Sequence, residues 1–307
     1  GEYLEYLSAN KVARGVGKVT YTALLTDSGG IKSDLTITRL AEDRFWILTG
    51  GGTGMTDLDW IRRHAPKDGS VYVKDISSEY TAIGLWGPKA RDILASVCEQ
   101  EVSNEAFPYF TAQDLSIEAI PALAVRISYV GELGWEIYTP AEYGLRLWEV
   151  LWNAGQVHGI IAAGMGAFDS LRLEKGYRAL GSDIHMAYNP FEAGLDWAIR
   201  FDQDDFKGKD ALLAIKEKGI TRKLCCLTLE KGTPLGKEPI LDGDKAIGYI
   251  TSANYGYSVG AHIAYGYLPA TYAQKGTEVE IEVLGKRYKA TVSDDPLYDP
   301  KMEKLRV

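Results

Sequence analysis

Residues 126–138 read Arg-Ile-Ser-Tyr-Val-Gly-Glu-Leu-Gly-Trp-Glu-Ile-Tyr, and this stretch restricts the fold more than any other. Two β-prone runs flank a turn carrying Gly131 and Gly134, the residue type that tolerates positive φ. The segment therefore predicts a hairpin, and with it an antiparallel sheet. Strand side chains alternate, so Trp135 and Ile137 share one face of the returning strand and Glu136 and Tyr138 the other. Glu136 is thus set in an aromatic, apolar strand, where a carboxylate is costly to bury without a donor. Two readings stay open from the pattern. Either the strand is an edge with Glu136 solvated, or the carboxylate is partly buried and suits a flat heterocycle offering two adjacent N–H groups.

Periodicity organises the rest. A helix is expected over 4–10, then strands over 17–25 and 31–40 around the turn Asp27-Ser28-Gly29-Gly30, and a third strand over 44–49. A helix opens near Thr56, with Thr56 as N-cap and acids in its first turn. A strand over 79–86 precedes Gly87-Pro88 and a short helix through Leu94. Strands near 115–117 and over 124–129 lead into the hairpin. A helix over 141–154 aligns Leu147, Trp148, Leu151 and Ala154 on one core-facing stripe, and another runs from Met165 to Gly176. After about residue 220 the texture becomes short strands separated by Gly, Pro and Asp, at 223–229, 246–251, 261–268, 278–283 and 286–292. That spacing predicts a β-barrel or jelly roll. The expectation is an α+β chain with mixed α/β domains at 1–110 and 111–219 and a C-terminal barrel at 220–307.

Several functions are disfavoured. A net charge of −8 with no basic arm speaks against a nucleic-acid partner. No apolar run reaches the length of a membrane span. Cys98, Cys225 and Cys226 form no disulfide framework and point to a reducing compartment, and His64, His158, His185 and His262 lack metal-ligand spacing. The run Gly50-Gly51-Gly52-Thr53-Gly54 lacks both the Lys-Ser/Thr ending of a P-loop and dinucleotide spacing, so it reads as a permissive loop.

The segment Ser128-Tyr129-Val130-Gly131-Glu132-Leu133-Gly134-Trp135-Glu136-Ile137-Tyr138 resembles a motif of the aminomethyltransferase, or glycine-cleavage T-protein, family. Asp169-Ser170-Leu171-Arg172-Leu173-Glu174 is similar to a second family signature, and the continuation Gly176-Tyr177-Arg178 looks like the dimethylglycine and sarcosine dehydrogenase or oxidase branch. The resemblance covers essentially the whole chain. It implies a central folate cavity, tetrahydrofolate as cofactor, and Glu136 as the acceptor of the two-donor pterin edge. It also implies Tyr129, Tyr21, Phe168, Tyr177 and Tyr255 as cavity residues. Phe168 stands where T-proteins carry a ligand-contacting Arg, so it can stack but cannot pair with a carboxylate. Arg172 is either a ligand contact or a helix ion pair with Asp169 or a nearby Glu.

The main departure is at Ser8-Ala9-Asn10-Lys11-Val12, where Lys11 occupies the position that the resemblance assigns to the catalytic Asp. Lys11 either attracts the folate tail or points to solvent, and the catalytic residue is left unassigned. Asp27 and Asp34 are substitute carboxylates nearby in sequence. The implied function is capture of a one-carbon unit, formaldehyde or an iminium, from N-demethylation of a methylated glycine to give 5,10-methylenetetrahydrofolate. The alternatives are a stand-alone aminomethyl or methyl transferase and a silent scaffold or regulatory relative. The implied partners are a small-molecule one-carbon donor and an FAD-containing oxidoreductase domain or subunit, with no flavin site in this chain itself. Relatives normally carry a lead-in before this N-terminus, so the chain reads as a fragment. The compartment expected is the cytoplasm for a bacterial source and the mitochondrial matrix for a eukaryotic one.

Overall fold

The computed structural model describes residues 1–307, and alternation of buried and half-buried side chains explains its first sheet. After helix α1 (Glu2–Leu7), strands β1 (Val19–Leu25), β2 (Ile31–Arg39) and β3 (Phe45–Leu48) pair antiparallel in that order. Helix α2 (Gly54–His64) buries Ile61 against Leu4, Leu7, Leu24 and Ile37. Thr53, not Thr56, occupies its N-cap. Thr56 lies inside the first turn, where its hydroxyl donates to Thr53 O at 2.9 Å.

The second sheet contains β4 (Tyr80–Trp86), β5 (Ala112–Ile117), β6 (Ile120–Val125) and β7 (Gly134–Pro140), in the order β4-β7-β6-β5. Trp135 and Ile137 are fully buried against α3 (Ala90–Val97) and α4 (Gly144–Gly155). The opposite face carries Glu136 and Tyr138 and meets the first sheet, where Val19, Val125, Tyr138 and Trp46 pack together. The hairpin is present, but its first strand ends at Val125 instead of continuing to Tyr129. Arg126 keeps its backbone pairing with Phe110 and Thr111, while its buried guanidinium donates to Asn104 Oδ1 at 2.7 Å, Phe107 O at 2.5 Å and Val307 O at 2.8 Å. Ser128 Oγ then accepts the backbone N–H groups of Val130 and Glu132, which closes a turn.

Helix α5 (Met165–Glu174) leads to the short α6 (Pro190–Ala193) and to α7 (Lys209–Lys218). Residues from Leu180 to Ile215 return to the first sheet, packing Ile184, Leu195, Ile199 and Phe206 against Ala23, Leu25 and Ile31. The C-terminal unit is a closed barrel of β8 (Arg222–Leu229), β9 (Pro239–Asp242), β10 (Lys245–Gly256), β11 (Ala261–Pro269), β12 (Glu278–Val283) and β13 (Lys286–Val292). Its order is β10-β11-β8-β13-β12-β9. Strand β9 is the one the sequence pattern did not reveal, being only four residues long and opening on Pro239. Cys225 faces the barrel interior while Cys226 packs outside with Leu173 and Tyr265, as strand alternation requires. No helix is long and apolar enough to cross a membrane.

Candidate functional site

Three aromatic rings from separate segments stack between the two sheets and α5. Tyr129, in the loop between β6 and β7, lies 5.2 Å from Phe168 with planes 27° apart and 5.7 Å from Tyr177 with planes 25° apart. These separations suit offset stacking. The Tyr129 hydroxyl donates to Arg178 O at 2.7 Å, which fixes the middle ring. Trp86 extends the group, 6.0 Å from Phe168, and is itself held by its indole N–H donating to Ile127 O at 3.0 Å.

Glu136 is paired across the sheet with Gly84, two residues before Trp86 and on the same face of β4. A Cβ on Gly84 would fall 2.1 Å from the Trp86 ring, so glycine is needed there for the indole to lie over the sheet. Glu136 is half-buried and accepts the Tyr138 hydroxyl on Oε2. Burial raises its pKa and that hydrogen bond partly opposes the rise. The Tyr138 ring is in turn placed by an edge contact with Trp46, 5.9 Å away.

On the first sheet Asp34 opposes Ala23 and accepts the Tyr21 hydroxyl on Oδ2 at 2.9 Å. Burial lifts its pKa to about 6, against the lowering effect of the Tyr21 hydrogen bond. The negative charge of Asp34 acts on both Tyr21 and Tyr129, whose hydroxyls burial already pushes far above their ordinary range. By contact, Asp34 is joined to Tyr21 and through it to Trp197. Tyr21 is stacked on Trp197 at 5.3 Å and 18°, and Trp197 is 54 % exposed, so this edge of the group opens to solvent.

The structure thus brings Glu136, Tyr129, Phe168, Tyr177 and Tyr21 around one region, and it sets three sequence candidates apart. Lys11 lies on the surface with its Nζ 2.8 Å from exposed Asp202. Arg172 is buried and committed to protein groups: Asp169 at 2.8 Å, Asp183 at 2.7 Å and Tyr177 O at 3.2 Å. Tyr255, on β10, packs edge-on to Tyr257 and His262, and only its carbonyl reaches α5, accepting the Ser170 hydroxyl at 2.7 Å. Of the two substitute carboxylates, Asp27 is exposed and pairs with Lys207. Asp34 alone faces the aromatic group. The sequence signal for that role was its even position on an alternating half-buried strand.

The charge balance narrows what can enter. Arg178 is bound to Asp295 at 2.6 Å, Lys175 to Asp299 at 3.1 Å and Lys32 to Asp57 at 3.0 Å. Every one of these cations is already neutralised, whereas Glu136 and Asp34 have only hydroxyl partners. The region combines flat apolar rings with two carboxylates. It can stack a heterocycle, accept its N–H edge and stabilise positive charge.

Comparisons with known proteins bear on the family and the fold. Residues 1–203 match the GCVT N-terminal domain, and residues 222–299 match the glycine cleavage T-protein C-terminal barrel domain. Mitochondrial dimethylglycine dehydrogenase of Rattus norvegicus is 39% identical over 300 residues, covering 96% of this chain and 35% of that protein. An aminomethyltransferase of Symbiobacterium thermophilum is 34% identical, covering 97% of this chain and 81% of that protein. The crystal structure of the glycine cleavage system aminomethyltransferase T from Bartonella henselae superposes with a TM-score of 0.86 at 28% identity, over 97% of this chain and 81% of that one. The chain spans about a third of the length of the dehydrogenase relatives it matches.

Proposed function

The chain belongs to the glycine-cleavage T-protein family, and on that premise we propose that it binds tetrahydrofolate and captures a one-carbon electrophile, formaldehyde or an iminium, released by oxidation of a methylated amine. The observation that carries the reading is Glu136, a half-buried carboxylate on an aromatic wall with Oε1 free of protein donors. The donor set fits the pterin: two adjacent N–H groups match a carboxylate, and Trp86, laid over Gly84 opposite Glu136, offers a ring face to a flat ligand. Tetrahydrofolate, when bound here, would supply two nucleophilic amines able to hold the one-carbon unit as a methylene bridge, with water leaving from formaldehyde or the amine from an iminium.

The residues of the chain do the rest by placement. Glu136 sets the orientation of the heterocycle through a charge-assisted pair, and the stack holds its plane. Asp34, ionised at neutral pH with a pKa of about 6, stabilises an arriving cation and can take the proton lost when an amine is alkylated. Arg172, Lys175 and Arg178 are each committed to an acid, so the buried cations of this region offer no free charge to a carboxylate. A flavin-containing oxidoreductase domain or subunit is the proposed source of that electrophile, in line with the dimethylglycine dehydrogenase relatives. The second reading, self-contained aminomethyl transfer, is favoured by the coverage of four fifths of an aminomethyltransferase.

Calorimetric titration with folinic acid tests the binding reading. Glu136→Gln should weaken binding by about 10- to 100-fold, the worth of a charge-assisted hydrogen bond. Lys11→Asp should leave affinity unchanged, because Lys11 lies at the surface. Unaltered affinity in Glu136→Gln removes that residue from the site. Turnover with tetrahydrofolate and a panel of donors separates the two readings: methylene transfer from formaldehyde alone supports capture, and transfer from an amino-acid donor supports the second.

A further inference from the structure

Residues 298–307 form a strap that crosses the end of α5 and reaches the body of the second sheet. There Leu305 is buried, and Val307 O accepts the guanidinium groups of Arg91 at 2.6 Å and Arg126 at 2.8 Å. On the way the strap is fastened to two separate pieces of structure. On α5, Glu174 O accepts the Tyr298 N–H at 3.0 Å, and the Lys175 ammonium donates to Asp299 O at 2.6 Å and Asp299 Oδ2 at 3.1 Å. On the loop between β6 and β7, Glu132 accepts the Tyr298 hydroxyl.

The aromatic group is divided between the same two pieces. Phe168 and Tyr177 belong to α5 and the loop after it, whereas Tyr129 belongs to the β6–β7 loop. That loop also anchors Trp86: Ile127 O accepts the indole N–H at 3.0 Å, and Leu133 O accepts the Gly87 N–H at 2.8 Å. Where the loop meets α5 the approach is close. A Cβ on Gly131, whose φ is +78°, would lie 3.0–3.1 Å from Cβ, Cγ and Cδ of Lys175. The loop therefore rests on the hydrocarbon stem of that lysine.

The stem stays in place while its ammonium has a partner. The Lys175 side chain is 2% exposed, and both of its acceptors are oxygens of Asp299, whose side chain is 6% exposed. Removing the acid would leave a buried charge uncompensated, and a flexible lysine escapes that cost by carrying its head to water. Asp299 is itself held within the strap, where its carboxylate accepts the Glu303 N–H at 2.8 Å and the Lys304 N–H at 3.1 Å.

We infer that Asp299 is a positioning residue for the aromatic wall: by holding the Lys175 ammonium in the strap, it keeps the lysine stem under Gly131 and so fixes the loop that carries Tyr129 and anchors Trp86. The consequence for a ligand rests on the reading of Glu136 and Trp86 given above. The placement of Tyr129 does not, and it is read without folate.

NMR of the protein carrying ring-labelled tyrosine gives the first readout, and calorimetry with folinic acid the second. The Tyr129 signal, identified by its loss in Tyr129→Phe, should show the ring-current shift of a ring stacked between Phe168 and Tyr177. Asp299→Ala should remove most of that shift and weaken folinic acid binding by about 3- to 10-fold, the worth of one aromatic contact. Lys175→Met keeps a stem and needs no acid, so it should leave both readouts near wild type. Asp299→Ala combined with Lys175→Met should restore both, although the strap still lacks its carboxylate. A role for Asp299 in folding the strap alone predicts no such rescue. If Asp299→Ala does not fold, Asp299→Asn takes its place, since it keeps an acceptor for the strap and removes only the charge. Three results overturn the proposal: an unmoved Tyr129 signal in the Asp299 variant, a double variant no better than that single one, or a loss in Lys175→Met as large as in Asp299→Ala. If the Tyr129 signal follows the expected pattern while the wild type binds no folinic acid, the folate reading fails and the positioning role stands.

Discussion

Asp27, Asp34 and Asp57 belong to one sheet-and-helix unit yet end in three electrostatic states. Asp27 is exposed, and its hydrogen bond and ion pair with Lys207 lower its pKa. Asp57 is buried with four donors, while Asp34 is half-buried with one hydroxyl and is raised to about 6. A carboxylate whose folded pKa is raised destabilises the fold when ionised. The penalty is absent below the unfolded value of 3.8, grows through the interval up to about 6 and is complete above it. Asp34→Asn, which carries no charge at any pH, should therefore be more stable than the wild type at pH 8, by on the order of 2 kcal/mol. At pH 4 the gain should shrink towards zero. Urea unfolding at both pH values measures it, and an equal gain at each pH shows that ionisation of Asp34 is not its cause. Such a result would fit a site whose carboxylate is kept for chemistry at the expense of stability.

At the scale of elements, α4 shows how a helical period can mislead by one position. The stripe Leu147, Trp148, Leu151 and Ala154 spans more of the helix circumference than the sheet covers. Leu147 and Leu151 are buried against Leu94 and Trp135, whereas Trp148 is 45 % exposed and stacks on Trp152 at 5.9 Å and 9°. Leu147→Ala should cost about 2–5 kcal/mol by leaving a cavity, and Trp148→Ala should cost less than about 1 kcal/mol. A shift in urea midpoint for Trp148→Ala as large as that for Leu147→Ala would mean the tryptophan is part of the core. The hairpin was legible because Trp135, Glu136, Ile137 and Tyr138 alternate cleanly, and the barrel because its longer strands recur at regular spacing. What escaped depends on partners distant in sequence. The first hairpin strand parts from β7 after Val125, and the guanidinium of Arg126 is buried on Asn104 and Val307; no local pattern records either. Likewise Asp34 gains its role from Tyr21 and the rings beyond, whereas Glu136 is announced by its own strand.

At the scale of the whole molecule, the last turn of α5 and the loop after it are where the units are tied together. Three cations issue from this short segment and each is matched by an acid from elsewhere: Arg172 with Asp183, Lys175 with Asp299 and Arg178 with Asp295. Asp183 is the most connected of the acids. Besides Arg172 it accepts the hydroxyls of Thr251 and Ser252 on β10, both at 2.5 Å, and the Ala179 N–H at 3.0 Å, so it couples α5, the barrel and the chain returning to the first sheet. Removing one partner of a buried pair leaves the other uncompensated, which costs far more than the pair contributes as a whole. Asp183→Ala should accordingly destabilise the protein by about 3–5 kcal/mol, while Asp202→Ala, which breaks only the exposed pair with Lys11, should leave the unfolding midpoint unchanged. Because Arg172 also donates to Tyr177 O, loss of Asp183 frees the arginine that braces the outer ring of the stack. Folate affinity should then fall together with stability in Asp183→Ala, yet fall alone in Glu136→Gln, whose carboxylate bonds only Tyr138. Parallel calorimetry and thermal unfolding on the two variants distinguish them. A stable Asp183→Ala protein with intact affinity would show that the barrel and the aromatic region are not coupled through this acid.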